Sequence, residues 1–405
     1  MEPIDYAAHP YLDPQFSSRE PRMLRALYRQ YLIIRNNDEA YNAFLNKLLH
    51  PHRQVYPLRE NLRHVSSFLA EVGPYLDGLL GLFPEKTHGP LAPAKEIDEC
   101  DDLRNLMRYV FDSTDPKLQF EAQRKIYLSK LFFDVDHTWE IQRGLIHKRH
   151  FESLMDEYLF RNTVDEADVE ICFNIRSDGV SMDYTVGSAG PDKECWSFHK
   201  LELALPIDGH TFPLNVYFYS CRFKREIIPY QYMRGQEHYN LQPVEIWGRL
   251  KERRSGSIVS KMIRKKESNP RRIGDILGAM FIVADLVEVE RLKTILMDIF
   301  GGPLRFRHVT DTLIRMEDKG RLGRYSAAGY KVFKSEVDLL YPSGPELTGP
   351  PSLFTVEIQI YTLESYLRTI HTEHYASHQH FKHRQFLQGL LPYLFPSEIY
   401  GTLSV

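Results

Sequence analysis

Val356–Thr362 reads VEIQIYT, an alternation of period two: Val356, Ile358 and Ile360 share one face of an extended chain, and Glu357, Gln359 and Tyr361 share the other. β-Branched residues at every second position suit a pleated, half-buried surface, so the stretch predicts a sheet strand with one polar row. A carboxylate and an amide then project side by side from a stiff backbone.

Upstream, Arg271–Asp285 reads RRIGDILGAMFIVAD, with Asp275 just before a second apolar run, Ala279–Ala284. Gly278 lets another backbone or a ligand come close there. If the two strands are neighbours, Asp275 and Glu357 offer hard oxygen ligands to one Mg²⁺. That cation uses one or two carboxylates and completes its shell with water and substrate phosphates. The arrangement belongs to phosphoryl transfer.

A cationic stretch precedes it. The chain carries a formal net charge of −3, which predicts no general affinity for nucleic acid. Yet between Gly248 and Arg272 stand Arg249, Lys251, Arg253, Arg254, Lys261, Arg264, Lys265, Lys266, Arg271 and Arg272 against Glu252 and Glu267, a local anion trap. Ser255-Gly256-Ser257 adds backbone donors, although no G-x-x-x-x-G-K-[ST] loop is present.

Taken in order, the basic segment with Ser257, D-I-x-G at Asp275–Gly278, Gly329-Tyr330 and E-I-Q-I-x-T at Glu357–Thr362 resemble the synthetase domain of the RelA/SpoT family over Glu245–His383. The resemblance implies a nucleotidyltransferase-like fold that moves pyrophosphate from ATP to the ribose 3′-hydroxyl of an acceptor nucleotide, nominally GDP or GTP. It assigns Lys251, Arg253, Ser257 and Lys261 to the ATP phosphates, Asp275 and Glu357 to Mg²⁺, and Gln359 to the support of that site. Tyr330 inherits a stacking role on the acceptor base, and His374 a place near the phosphates.

The chain departs from the family pattern at several points. Lys251 and Arg253 exchange the usual order, Lys334 stands about where a His is expected, and Met280 and Tyr361 replace arginines. Two alternatives follow. Relatives of this fold pyrophosphorylate the 3′ end of tRNA as toxins, and Arg264, Lys265, Lys266, Arg271 and Arg272 suit an RNA backbone. A nucleotide- or RNA-binding regulator without turnover is the other, favoured by Met280 and Tyr361. His371, His374 and His378 have a spacing compatible with a metal, and equally with a polar helix face.

At 405 residues the chain is long enough for two or three domains. Arg19–Asn162 has helical periodicity, with Asn37 or Asp38 as one cap and Asp115 before Pro116 as another. Asp134, Asp136 and His137 invite comparison with a metal-dependent HD phosphohydrolase, but the order is Asp-His and further ligands are not visible, so structural or solvent-facing roles are expected.

Val169–Arg222 changes to short alternating runs separated by Gly-containing turns, an antiparallel β-module of about four strands. The expected class is α+β: a helical domain at 1–165, the β-module at 166–230, and a mixed sheet with flanking helices at 231–405. Cys100, Cys172, Cys195 and Cys221 are scattered without a C-x-x-C pair, so neither a zinc site nor a disulfide framework is indicated, and a reducing cytoplasm is expected. No apolar run is long enough for a bilayer, and Met1–Ser18 lacks the hydrophobic stretch of a secretion signal.

Overall fold

The alternation of Val356–Thr362 places it inside a sheet, and the computed structural model shows that sheet to have eight strands. The structure describes residues 22–50, 55–81, 83, 88–177, 182–186, 193–207, 209–224, 256–313, 331–341, 352–370 and 378–401. The chain divides into two units. One comprises Met1–His137, Glu245–Pro270 and Gln385–Val405; the other comprises Thr138–Val244 and Arg271–Arg384.

The first unit is helical. Its main helices are α1 (Arg22–Ile34), α2 (Asp38–Leu49), α3 (Leu58–Leu69), α4 (Val72–Leu80), α5 (Leu103–Asp112) and α6 (Pro116–Asp136). Asn37 caps α2, its side chain accepting from the Ala40 amide at 2.9 Å, while Asp115 caps α6 ahead of Pro116. An apolar cluster that includes Tyr41, Leu45, Leu69, Leu106, Met107 and Ala122 fills the space between these helices.

Helix α6 is buried on its polar side as well, which its sequence alone does not announce. Arg124 donates to the Leu394 carbonyl at 2.6 Å, Lys125 to those of Ile97 and Asp98 at 2.9 and 2.6 Å, and Glu121 accepts from the Ala94 amide at 2.7 Å. These partners offset part of the lost hydration, whereas the buried Gln123 amide has no hydrogen-bond partner among the described residues. Asp134 pairs with Lys130, and His137 stacks on Phe133 at 3.9 Å while its Nδ1 meets the Phe133 carbonyl at 2.8 Å. Among the described residues no group of three ligating side chains forms around them. Helix α8 (after α7 in the second unit; Gly256–Lys265) also belongs to the first unit, where Ser260 and the buried Tyr75 hydroxyl share a 2.8 Å hydrogen bond.

The second unit holds β1 (Thr163–Ser177), β2 (Met182–Val186), β3 (Lys193–Ile207), β4 (His210–Phe223), β5 (Leu277–Val283), β6 (Phe306–Asp311), β7 (Phe333–Tyr341) and β8 (Ser352–Thr362), with helices α7 (Gly144–Leu154), α9 (Leu286–Phe300) and α10 (Leu363–Ile370). The strand order is β2-β1-β3-β4-β5-β8-β7-β6. All neighbours are antiparallel except β5 and β8, which run parallel, so the fold is mixed α+β as the sequence predicts. The four strands of the β-module form, and they continue into the rest of the sheet because β4 pairs with β5.

One expectation is corrected. Cys172 and Cys195 lie directly opposite each other on β1 and β3 and are joined in a disulfide across a Cα separation of 4.0 Å. Facing positions on antiparallel strands bring side chains to bonding range whatever their separation in sequence. The cysteine pattern therefore gives no argument for a reducing compartment. Among the described residues, no helix is long and apolar enough to cross a membrane.

Helices α7 and α9 are linked by Phe151 and Phe300, stacked at 5.8 Å. Helix α7 meets Phe223 of β4 so closely that a Cβ at Gly144 would lie 2.1 Å from the ring, a contact only glycine permits. His147 of α7 stacks on Phe354 of β8 at 4.4 Å with rings 2° from parallel, and is 2% exposed. Burial, with Arg143 and His150 nearby, lowers its pKa from 6.5 to about 4. The unfolded chain then binds this proton more readily than the fold does, so stability is full above 6.5 and falls as pH drops toward 4. Urea denaturation at successive pH values should show a loss on the order of 3 kcal/mol over that window from this residue, and His147→Leu should flatten the slope.

Candidate active site

Strand period and register build this site. On β4, β5, β8 and β7, one row of facing residues runs Arg222, Gly278, Glu357, Glu336, and the next runs Ser220, Met280, Gln359, Lys334. In a third row Phe218, Ile282 and Tyr361 join an aromatic cluster with Leu363, Tyr366 and Leu367 of α10. One face of the sheet is thus greasy at one end, under α10, and charged at the other.

At the charged end Glu357 and Asp275 each have a lysine partner. Glu357, 6% exposed, is ion-paired with Lys334 of β7. Asp275, at the entry to β5, is ion-paired with Lys224, which follows β4. Glu336 faces Glu357 directly, a like-charge pairing that would be unfavourable if both carboxylates met. Instead the Glu336 carboxylate lies over Gly274, where a Cβ would stand 2.4 Å from its Oε1, and His308 comes within 3.9 Å of its other oxygen. Gly274 is therefore what lets this acid turn away from Glu357.

The amide beside Glu357 is held at both ends. Gln359 donates from Nε2 to Glu357 Oε1 at 2.5 Å, and accepts from the Tyr361 hydroxyl at 3.1 Å. Tyr361 is buried in the aromatic cluster, so packing fixes the hydroxyl, the hydroxyl orients the amide, and the amide orients the carboxylate. The same packing occupies the positions of Met280 and Tyr361, where the family pattern has arginines.

Asp275, Glu357 and Gln359 thus belong to one unit, Asp275 ahead of β5 and the other two on β8, its parallel neighbour. Ser257 and Lys261 lie on α8 in the first unit. Lys251, Arg253, Tyr330 and His374 lie outside the described residues. Lys224, Glu336, Arg222 and the pairing of Lys334 were not nominated from the sequence. Their signal was the charged-apolar alternation of SCRFK and KSEVD, which marks strands but not their neighbours.

Asp275 and Glu357 fit Mg²⁺ by donor chemistry. Both offer carboxylate oxygens, and this ion does not require a closed protein cage. The one convergent trio of ligating side chains among the described residues is elsewhere, at Glu170, Cys172 and Cys195.

Removing the ammonium beside Glu357 leaves a buried charge poorly compensated. Lys334→Met should therefore lower stability by about 1–3 kcal/mol, with most of that regained in the double variant Lys334→Met/Glu357→Gln. A double-mutant cycle in urea measures the coupling.

No protein-family model and no curated protein matches the chain. Among solved structures it is similar to the small alarmone synthetase 1 from Bacillus subtilis bound to its product pppGpp, at 17% identity and TM-score 0.25, over 42% of this chain and 70% of that one. A second structure of small alarmone synthetase 1 from Bacillus subtilis is similar at 21% identity and TM-score 0.21, over 38% of this chain and 57% of that one. Each likeness covers less than half of this chain.

Proposed function

We propose that the protein is a Mg²⁺-dependent pyrophosphokinase that transfers the β,γ-diphosphate of ATP to the ribose 3′-hydroxyl of an acceptor nucleotide, GDP or GTP. The observation that supports this reading best is Glu357, buried on β8 and held by Gln359 and Lys334, with Asp275 at the entry to the parallel neighbour strand.

In the reaction, the acceptor oxygen forms a bond to the β-phosphorus as the bond from that phosphorus to the α-phosphate oxygen breaks, and AMP leaves. Glu357 would accept the hydroxyl proton, and its link to Gln359 would hold its orientation during attack. Asp275 and Glu357 would hold Mg²⁺, which supplies charge neutralisation on the phosphates. Lys224 and Lys334, which pair with those carboxylates, would be the ammonium groups offered to phosphate oxygens. Binding pppGpp is a property of the Bacillus synthetase in the compared structure, and it motivates the choice of guanine acceptors for this chain.

A second reading, a nucleotide-binding regulator without turnover, draws on one observation. Tyr361 is buried and Met280 packs against the same aromatic cluster, so neither position offers a cation to the transferred group. In phosphoryl transfer, electrostatic stabilisation is most of what a protein contributes.

Incubation of the full chain with γ-labelled ATP, Mg²⁺ and GDP, GTP, AMP or deacylated tRNA separates the two. Labelled GDP or GTP product is expected, and Glu357→Gln should lower its rate by about 10²-fold or more. Product only on tRNA would place the chain with the toxin-type enzymes. ATP binding without product from any acceptor supports the regulator and overturns the transferase.

A further inference from the structure

The charged end of the sheet face holds one cation that no carboxylate claims. Lys224 and Lys334 are tied to Asp275 and Glu357. Arg222 of β4 is partly buried, and among the described residues no acidic side chain pairs with it. Burial pushes its pKa down, as expected for a cation that has lost water without gaining an anion. Its neighbour Tyr366 brings no compensating charge, because burial raises the pKa of that phenol and keeps it neutral.

Position supplies the rest. Arg222 faces Gly278, and Gly278 faces Glu357, so the row across three strands has no side chain at its centre. Adjacent strands stand about 4.8 Å apart, which puts the Arg222 and Glu357 backbones about 10 Å apart across the bare glycine. Among the described residues, a Cβ built at Gly278 meets nothing within 4 Å except the Glu357 carbonyl oxygen, at 3.7 Å. A guanidinium on one side, an acid that can carry a metal on the other and a glycine floor between them suit a phosphate chain. The fork of N–H donors on Arg matches phosphate oxygens in pairs.

We propose that Arg222 binds the polyphosphate of the nucleotide donor across Gly278, supplying from β4 the guanidinium that Met280 and Tyr361 do not. This rests on the reading of the face as a phosphoryl-transfer site. It makes β4, a strand outside the family-like stretch, part of the substrate site.

Calorimetric titration of the full chain with Mg²⁺-ATP and with tripolyphosphate tests it, alongside thermal melting without ligand. Arg222→Gln should weaken both ligands at least 10-fold, Arg222→Lys should recover part of that loss, and Arg305→Gln, at an exposed position before β6, should change neither. Because the unpaired cation costs the empty fold, Arg222→Gln should melt no lower than the wild type. Unchanged binding in Arg222→Gln overturns the role of Arg222 and leaves the transferase reading standing. A lowered melting temperature that accompanies the lost binding assigns the residue to packing and also overturns it. If the wild type binds neither ligand, both the role of Arg222 and the reading of the face fall.

Discussion

A carboxylate on a buried sheet face must be matched by a positive charge, because the water it gives up is worth more than any packing it gains. Glu357 meets that requirement through Lys334, and Asp275 through Lys224. Each lysine arrives from a strand flanking the parallel pair β5 and β8, so the acidic residues depend on the register of four strands. The pairing also explains the order of the sheet's polar face. Charged rows sit at the entry to β5, and the aromatic row that fixes Tyr361 sits at the opposite end beneath α10.

The two ends of this face do different work. Packing of Tyr361 against Tyr366 at 5.6 Å holds a hydroxyl that sets the Gln359 amide, and through it the Glu357 carboxylate. An arginine at position 361 would have placed charge where the fold places an aromatic cluster. Position 361 therefore serves a rigid hydrogen-bond relay and carries no cation, and any guanidinium for this face has to come from another strand. Arg222, two strands from Glu357 and without an acidic partner among the described residues, is in the right row to provide it.

Much of this was legible before any coordinates. Period two in Val356–Thr362 marks β8, and Asn37 and Asp115 mark helix starts. Asp275, Glu357 and Gln359 are nominated because their motifs carry both residue type and spacing, and the structure sets Asp275 ahead of β5 and the other two on β8. What stayed hidden depends on which strand lies beside which. Lys224, Glu336 and Arg222 are ordinary charged residues on alternating strands until β4 and β7 are set beside β5 and β8. Cys172 and Cys195, separated by 23 positions, become partners only through the register of β1 with β3. Local periodicity specifies faces, and tertiary pairing specifies neighbours.

The central claim is that Asp275 and Glu357 would together hold a divalent ion when nucleotide is bound. Mn²⁺ substituted for Mg²⁺ in crystals grown with a non-hydrolysable ATP analogue tests this directly through its anomalous signal. The account expects a peak bridging the two carboxylates and the analogue's phosphates, with Lys224 and Lys334 moved away from their acids. A nucleotide bound with no peak there, and with both ion pairs intact, would contradict it.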